Sequence, residues 1–378
     1  MKPKISRAFT LTTLFLTLFY IVPCCLSQNY NCSYQLLNKP EGSTRYTLNV
    51  AVSQTLYEYY LEKSHKLTSN NDFAKFVTPY ALKPVADNLW EIYTNDEDFA
   101  NGVLMIVHQI PYVETAPSKY PVETIVENEG DCDLFSFVAA SIMKAGGLDV
   151  ILLYYESKAH MNVGVHLSHT PRDVRGQAYY VTYNSMKYYV AECTGDNWED
   201  GWRIGECPSD LQQANVQVIS LEECEQWAPG QVSASYRTLV SSTISLMASS
   251  SYAIQGSSVT LSGQLSPTLQ NKNVTIYIKI NNSPWTALDT VTTDSDGQFT
   301  YVWNAKEAGI CQIRASWSGD SDYAGADSPI QKIIVLPIFF ILLLTVILTV
   351  ICGGIVLFFM TRHSRQEVQE PQPPEATF

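Results

Sequence analysis

The sequence predicts an α+β domain, then an all-β sandwich, then one membrane-crossing helix. Three observations carry this order. Up to about residue 210, runs with helical apolar spacing give way to strand-like runs. After Ser241 only short period-2 runs separated by turns remain. Residues 333–360 contain no charged side chain at all.

Residues 1–27 open with two lysines and an arginine, continue as an apolar run and end in "CCLS". That is the layout of a cleavable secretory signal. The apolar run is short for an uncleaved anchor, and "IVPCC" is a poor match to a lipid-attachment signal. The mature chain then begins near Gln28. Residues 28–240 form the first domain. "SQTLYEYYLEKSHKL", "NDFAKFVTPYALKPVADNLWEIY" and "NDEDFANGVLMIVHQI" carry helical spacing. A further helix is expected from about Cys132 to Ala145, stopped by Gly146–Gly147. The runs "DVILLYY", "HMNVGVHL", "QAYYVTY" and "KYYVAECT" read as strands, the last two as a hairpin turning at Asn184–Ser185.

Residues 241–332 alternate Ser, Thr, Val and Tyr in "SSVTLSGQL", "NVTIYIKI", "GQFTYVWNA" and "CQIRASWSG", with turns at "NNSPW" and "DSDGQ". Strands at this spacing predict a β-sandwich, with Trp303 and Trp317 filling its core. Residues 333–360 are long enough to span a bilayer with some tilt, and Arg362 and Arg365 follow at once. By the positive-inside rule this is a single-pass type I protein of the cell membrane, its larger part outside. Residues 361–378 form a polar, proline-rich cytoplasmic tail, expected to be disordered.

The net charge of −13, with no basic cluster, argues against nucleic acid as a ligand. Of nine cysteines, Cys32, Cys132, Cys193, Cys207, Cys224 and Cys311 fall outside the signal and the span. Six across some three hundred residues do not make a disulfide scaffold. There is no CxxC and no His-rich cluster, so no metal and no cofactor is expected. Asn31, Asn273 and Asn281 match the glycosylation sequon.

The stretch "NEGDCDLFSF" sets Cys132 between two aspartates where a helix should begin. Asp131 suits the N-cap, which leaves Cys132 in the first turn. There the helix dipole and free backbone N–H groups favour a thiolate and can hold an oxyanion. Two flanking carboxylates oppose this, so a base is required. His160 is the candidate, opening the strand one element after the helix. His166 lies deeper in that strand, and His169 sits in a loop beside Pro171. Glu192, near the end of a later strand, offers an acceptor to orient the imidazole.

These residues resemble the transglutaminase-like superfamily of prokaryotes. The resemblance spans about residues 85–210 and rests on "YPVETIVENEGDCDLFSFVAASIMKAGGLDVILL", "HMNVGV" and "YYVAECTGDNWEDGWRIGECP". It implies a papain/transglutaminase-like α+β fold with Cys132 as nucleophile, His160 as base and Glu192 as orienting acid. Two positions depart from the pattern. Leu134 stands where many relatives have a second acid, and Cys193 where relatives often have threonine or proline. Cys193 is expected to bridge Cys207 around the intervening loop, or to stay free. Tyr112 and Tyr120 are candidates to line the substrate groove, and Trp198 and Trp202 to cover the core or rim the cleft. The second segment, about residues 243–335, resembles bacterial Ig-like domains in "YAIQGSSVTLSGQL" and "IRASWSGDSDYAGADS".

The implied function is a membrane-anchored, outward-facing thiol enzyme, a cysteine protease, amidase or acyltransferase, acting on a protein or peptide substrate at the cell surface. The alternative is a catalytically idle surface adhesion or scaffold protein. A third possibility, an intramolecular thioester adhesin, needs a glutamine partner that the sequence does not single out.

Overall fold

The structure, a computed structural model, describes residues 29–366. The expected signal (1–27) and the tail beyond 366 lie outside the described residues.

The first domain opens with a hairpin, β1 (Tyr30–Leu37) and β2 (Arg45–Val52), which β8 (Ser233–Ser235) completes as a third strand. Neither hairpin strand was expected, although both alternate inward and outward residues. The three helical stretches are shorter than their apolar spacing suggested: Gln54–Leu61, Lys83–Ile92 and Asp96–Val107, with a 3-10 turn at Asn70–Phe76. Pro84 sits in the first turn of its helix, where a missing N–H costs nothing. The short helix Pro121–Glu127 leads to the predicted helix Cys132–Ala145. Gly147 terminates the latter with φ +87°, and Leu148 N–H closes back on Met143 O at 3.1 Å. That left-handed position is why a glycine stands there.

A five-stranded antiparallel sheet follows, in the order β5-β6-β4-β3-β7, from β3 (Asp149–Tyr155), β4 (His160–His166), β5 (Tyr180–Tyr183), β6 (Met186–Ala191) and β7 (Gln217–Ile219). The β5–β6 turn is the two-residue Asn184–Ser185, both with positive φ, the geometry hairpins prefer. Both faces of this sheet are covered. Val150, Leu152, Met161, Val163 and Val165 pack in the main core with Phe137, while Ile151, Leu153, Tyr188 and Val190 form a second cluster behind. The period of two therefore separates two buried sets rather than one buried and one wet.

The remaining strands make a sandwich. β9 (Thr243–Ala248), β11 (Ser258–Ser266) and β14 (Gln298–Asn304) form one sheet in the order β14-β11-β9. The other runs β10-β17-β15-β12-β13, from β10 (Tyr252–Ile254), β12 (Asn273–Ile280), β13 (Thr286–Thr292), β15 (Gly309–Gly319) and β17 (Gln331–Leu336), with β16 (Ala324–Asp327) on β15. Trp303 and Trp317 are in its core, as expected.

Residues 333–336 belong to β17 and not to the helix that the apolar run suggested. Ile333 and Val335 are buried in the sandwich while Ile334 faces out, so period 2 was hidden inside an apolar stretch. Pro337 ends the strand, and a helix runs from Ile338 to Gln366. Side chains at 340, 341, 344, 359 and 361–366 lie outside the described set, and among the described residues no helix is long and apolar enough to cross a membrane. The backbone nonetheless stays helical through all 29 residues, uncharged as far as Met360.

The two domains dock closely, which no sequence signal announced. The helix Gln54–Leu61 lies on the sandwich. Thr55 N–H donates to Asp327 Oδ2 at 2.7 Å, so the sandwich satisfies a helix-start donor of its neighbour. Glu58 Oε2 accepts from Arg314 Nη2 at 2.6 Å, and the guanidinium stacks over Trp285 at 4.5 Å. Glu62 pairs with Lys279 and accepts Trp285 N–H at 2.7 Å.

Candidate active site

Cys132 begins its helix half-exposed, with Sγ 3.6 Å from the carbonyl oxygen of Ala159. His160 is the next residue, at the start of β4, and it lines the same cavity as Cys132. Its Nε2 lies 3.1 and 3.2 Å from the two oxygens of Glu192. With Nε2 so occupied, Nδ1 is the nitrogen left for the thiol. The structure thus brings Cys132, His160 and Glu192 together. It does not bring the rival histidines. His166 bonds Lys187 O at the far end of β4, and His169 is 3.8 Å from Glu97.

The β4–β6 register explains the placement. Val163 pairs with Ala191, and continuing that antiparallel register sets Asn162 opposite Glu192 and His160 opposite Thr194. Residues two apart share a face, so His160 and Asn162 meet Glu192 and Thr194 just past the end of the ladder. Asn162 Oδ1 lies 3.0 Å from His160 Nε2, a second acceptor on the same nitrogen. Thr194 donates to Glu192 Oε1 from its N–H at 2.9 Å and its hydroxyl at 2.6 Å. Behind them, buried His108 bonds the Glu192 carbonyl at 3.0 Å. Asn162, Thr194 and His108 escaped the sequence reading. For the first two, a signal existed in their spacing of two from His160 and Glu192.

Burial alone would push the imidazolium of His160 toward deprotonation, but its bonds to Cys132 and Glu192 outweigh burial and raise the pKa to about 10. Burial likewise opposes the Glu192 carboxylate, and the bonds from His160 and Thr194 overcome it, leaving the pKa below its ordinary value. The His160 contribution to stability is complete below about pH 6.5, its unfolded pKa, and is lost as pH rises through about 10. The Glu192 contribution is present above its unfolded pKa of about 4.3 and is lost as pH falls through the depressed folded value.

Asp131 occupies the N-cap position, yet its side chain does not cap. Its Oδ2 instead accepts Thr115 N–H at 2.8 Å, holding the preceding loop against the helix start. Leu134 N–H goes to Asp133 Oδ1 and Phe135 N–H to Asp131 O. Cys132 and Asp133 N–H remain as the first-turn donors available to a ligand. Burial, and then a bond with Asp131, push Asp133 up to about 7, against the pull of Ser118. The folded state therefore binds this proton where the unfolded chain has released it, so stability falls between about pH 4 and 7. Asp133→Asn should flatten that part of the curve and raise the melting temperature at pH 8. Thermal scans from pH 4 to 8 test it, and an unchanged pH slope would refute it.

Tyr112 is exposed and lines the cleft on both sides of His160, whereas Tyr120 is buried in an aromatic cluster with Tyr60, His65 and Phe76 and lines neither of the two cavities beside His160. Trp198 packs partly buried beneath Arg45, and Trp202 is exposed. Cys193 and Cys207 are not bridged; both are free thiols. Cys193 faces the main core and Cys207 the cluster behind the sheet, so they lie on opposite sides of it. Among the described residues, no group of three or more His, Cys, Asp or Glu side chains is placed to hold a metal ion.

No curated protein matches the chain. Several solved structures align over about a quarter of it. The sulfur carrier protein SoxY from Chlorobium limicola f thiosulfatophilum shares 13% identity, with 26% of this chain and 86% of that chain covered and a TM-score of 0.19. The sporulation control protein Spo0M from Bacillus subtilis shares 6%, with 26% and 50% covered and a TM-score of 0.19. A β-glucosidase from Listeria innocua shares 13%, with 25% and 16% covered and a TM-score of 0.17. The chain thus spans half of the second and under a fifth of the third. Likenesses this slight carry no argument. The sandwich is different: residues 246–335 match the family model of the bacterial Ig-like domain (group 3), so this part of the chain is an Ig-like domain.

Proposed function

We propose that the chain is a thiol enzyme acting on amide bonds, its first domain transglutaminase-like and papain-like in arrangement. The observation that carries this reading is His160, which shares a cavity with Cys132 and lies 3.1 Å from buried Glu192. Cys132 Sγ attacks the amide carbonyl, and the resulting oxyanion meets the N–H groups at the helix start. The C–N bond breaks as His160 gives its proton to the leaving amine. Water, or a second amine, then attacks the thioester and gives up a proton to His160, which restores the thiol.

Iodoacetamide at neutral pH should label Cys132 first among the cysteines, and purified protein should hydrolyse peptides or couple amines to them. Cys132→Ser should do neither. Turnover that survives Cys132→Ser would remove Cys132 from the chemistry, and no turnover or labelling in the unsubstituted protein would leave the idle surface scaffold as the better account.

In the same proposal, Ile338–Gln366 crosses the cell membrane and the Ig-like domain holds the enzyme on the outer side. Supporting this are the uncharged stretch to Met360 and the arginines beyond it. A chain ending at Leu336 should be released from membranes, while the full chain should resist alkaline extraction. Ending instead at Lys332 should also unfold the sandwich, because Ile333 and Val335 are in its core. Release of the full chain by alkali would reject the anchor.

A further inference from the structure

We infer, resting on that thiol-enzyme reading, that the substrate is an extended polypeptide attacked at an internal amide. An apolar residue sits on the acyl side of the bond, with basic residues flanking it. Two open cavities meet at the reacting groups. One, of ≈ 660 Å³, is lined by Cys132 and His160. The other, of ≈ 610 Å³, is lined by His160 but not Cys132, and Tyr112 borders both.

Chemistry orients the substrate between them. The acyl carbon bonds to Sγ, so the acyl part lies in the cavity that Cys132 lines. The leaving amine takes its proton from His160, so the amine part passes over the imidazole into the other. A terminal residue or a small side-chain amide would leave one of the two empty. The acyl cavity has an apolar wall of Leu67, Phe73, Tyr154 and Met161, which suits an apolar side chain beside the attacked carbonyl.

Apart from the His160 imidazolium, which Glu192 offsets, the exposed charge along this path is negative. Neither cavity is lined by a lysine or arginine. Glu114 on the acyl side and Asp196 on the amine side are exposed and make no ion pair among the described residues. Asp131 and Asp133 in the acyl cavity are engaged by Thr115 and Ser118. The adjoining cations, Lys119 and Lys158, are held by Glu127 and Asp210. A chain bearing lysine or arginine on both sides of the apolar residue meets this field favourably.

The test measures protection of Cys132 from iodoacetamide in the purified full chain. Three ligands are compared: a capped octapeptide with central phenylalanine flanked by lysines, the same peptide with glutamates, and acetyl-phenylalanine amide. The lysine peptide should slow alkylation about tenfold at a concentration where the other two slow it less than about twofold. The double variant Glu114→Lys, Asp196→Lys should reverse the order of the two peptides, each protection being measured against that variant's own alkylation without peptide. Equal protection by all three ligands, or an unchanged order in the double variant, would overturn the inference. Alkylation of the unliganded protein and the Cys132→Ser turnover assay report on the thiol enzyme itself, so the two readings fail separately.

Discussion

Glu192→Gln is expected to slow turnover by about 10³–10⁴-fold while the protein stays folded. Glu192 is fully buried and lies against His160 Nε2 with both oxygens. It fixes that nitrogen as a donor and stabilises the imidazolium. A glutamine is nearly isosteric, keeps an oxygen for the Thr194 donors and removes the charge. The loss should fall on kcat rather than KM, since Glu192 lines neither cavity. The alkaline limb of the pH–rate profile should also move. In the parent it lies near pH 10, where His160 gives up its proton. Without the neighbouring carboxylate the imidazolium is less favoured, so the limb shifts to lower pH. Asn162→Ala should give a smaller loss of about tenfold, because Glu192 still holds the ring. Steady-state kinetics from pH 5 to 11 check all three; a Glu192→Gln enzyme with parental kcat would remove Glu192 from the mechanism.

Arg314→Met should destabilise the docked pair of domains by about 2 kcal/mol. The guanidinium is almost wholly buried between Glu58 and Trp285, whereas the Glu58 carboxylate stays partly exposed and can recover water. That exposure keeps the expected cost below the 3–5 kcal/mol of a fully buried pair. Calorimetry should show one transition in the parent and two in the variant, as the sandwich and the α+β domain begin to melt separately. Proteases should also gain access to the segment 236–242 between them. A single transition at the parental temperature would mean that Arg314 does not couple the domains.

What the sequence made legible was local chemistry with a fixed period. The helix Cys132–Ala145 and its glycine stop were readable because both ends depend on near neighbours. The two-residue turn at Asn184–Ser185 was readable for the same reason. Cys132, His160 and Glu192 came from motif order, and a register with residues two apart on one face explains why that order works. What failed depends on distant partners. β8 is three residues long and joins strands some 180 positions earlier, so nothing nearby marks it. Asp131 looked like a cap, but Thr115 competes for its carboxylate. Cys193 and Cys207 looked like a bridge across a short loop, yet they face opposite sides of the sheet. Arg314 reads as an ordinary polar residue of a sandwich strand until Glu58 is laid against it.

Cys193, Cys207, Cys224 and Cys311 are buried free thiols, and burial pushes each of them up. Electrophiles and peroxides attack the thiolate, so these four sulfurs are chemically silent in the native state. Cys32 is half-buried, is likewise pushed up by burial, and donates to Ile125 O. Among the described residues no disulfide holds either domain together, so neither fold depends on an oxidative step. Among the described cysteines of the two domains, Cys132 is the sulfur left open to attack. Peroxide should convert Cys132 to a sulfenic acid that thiols reverse, leaving the melting curve unaltered, so the same atom that performs the work also reports oxidative damage.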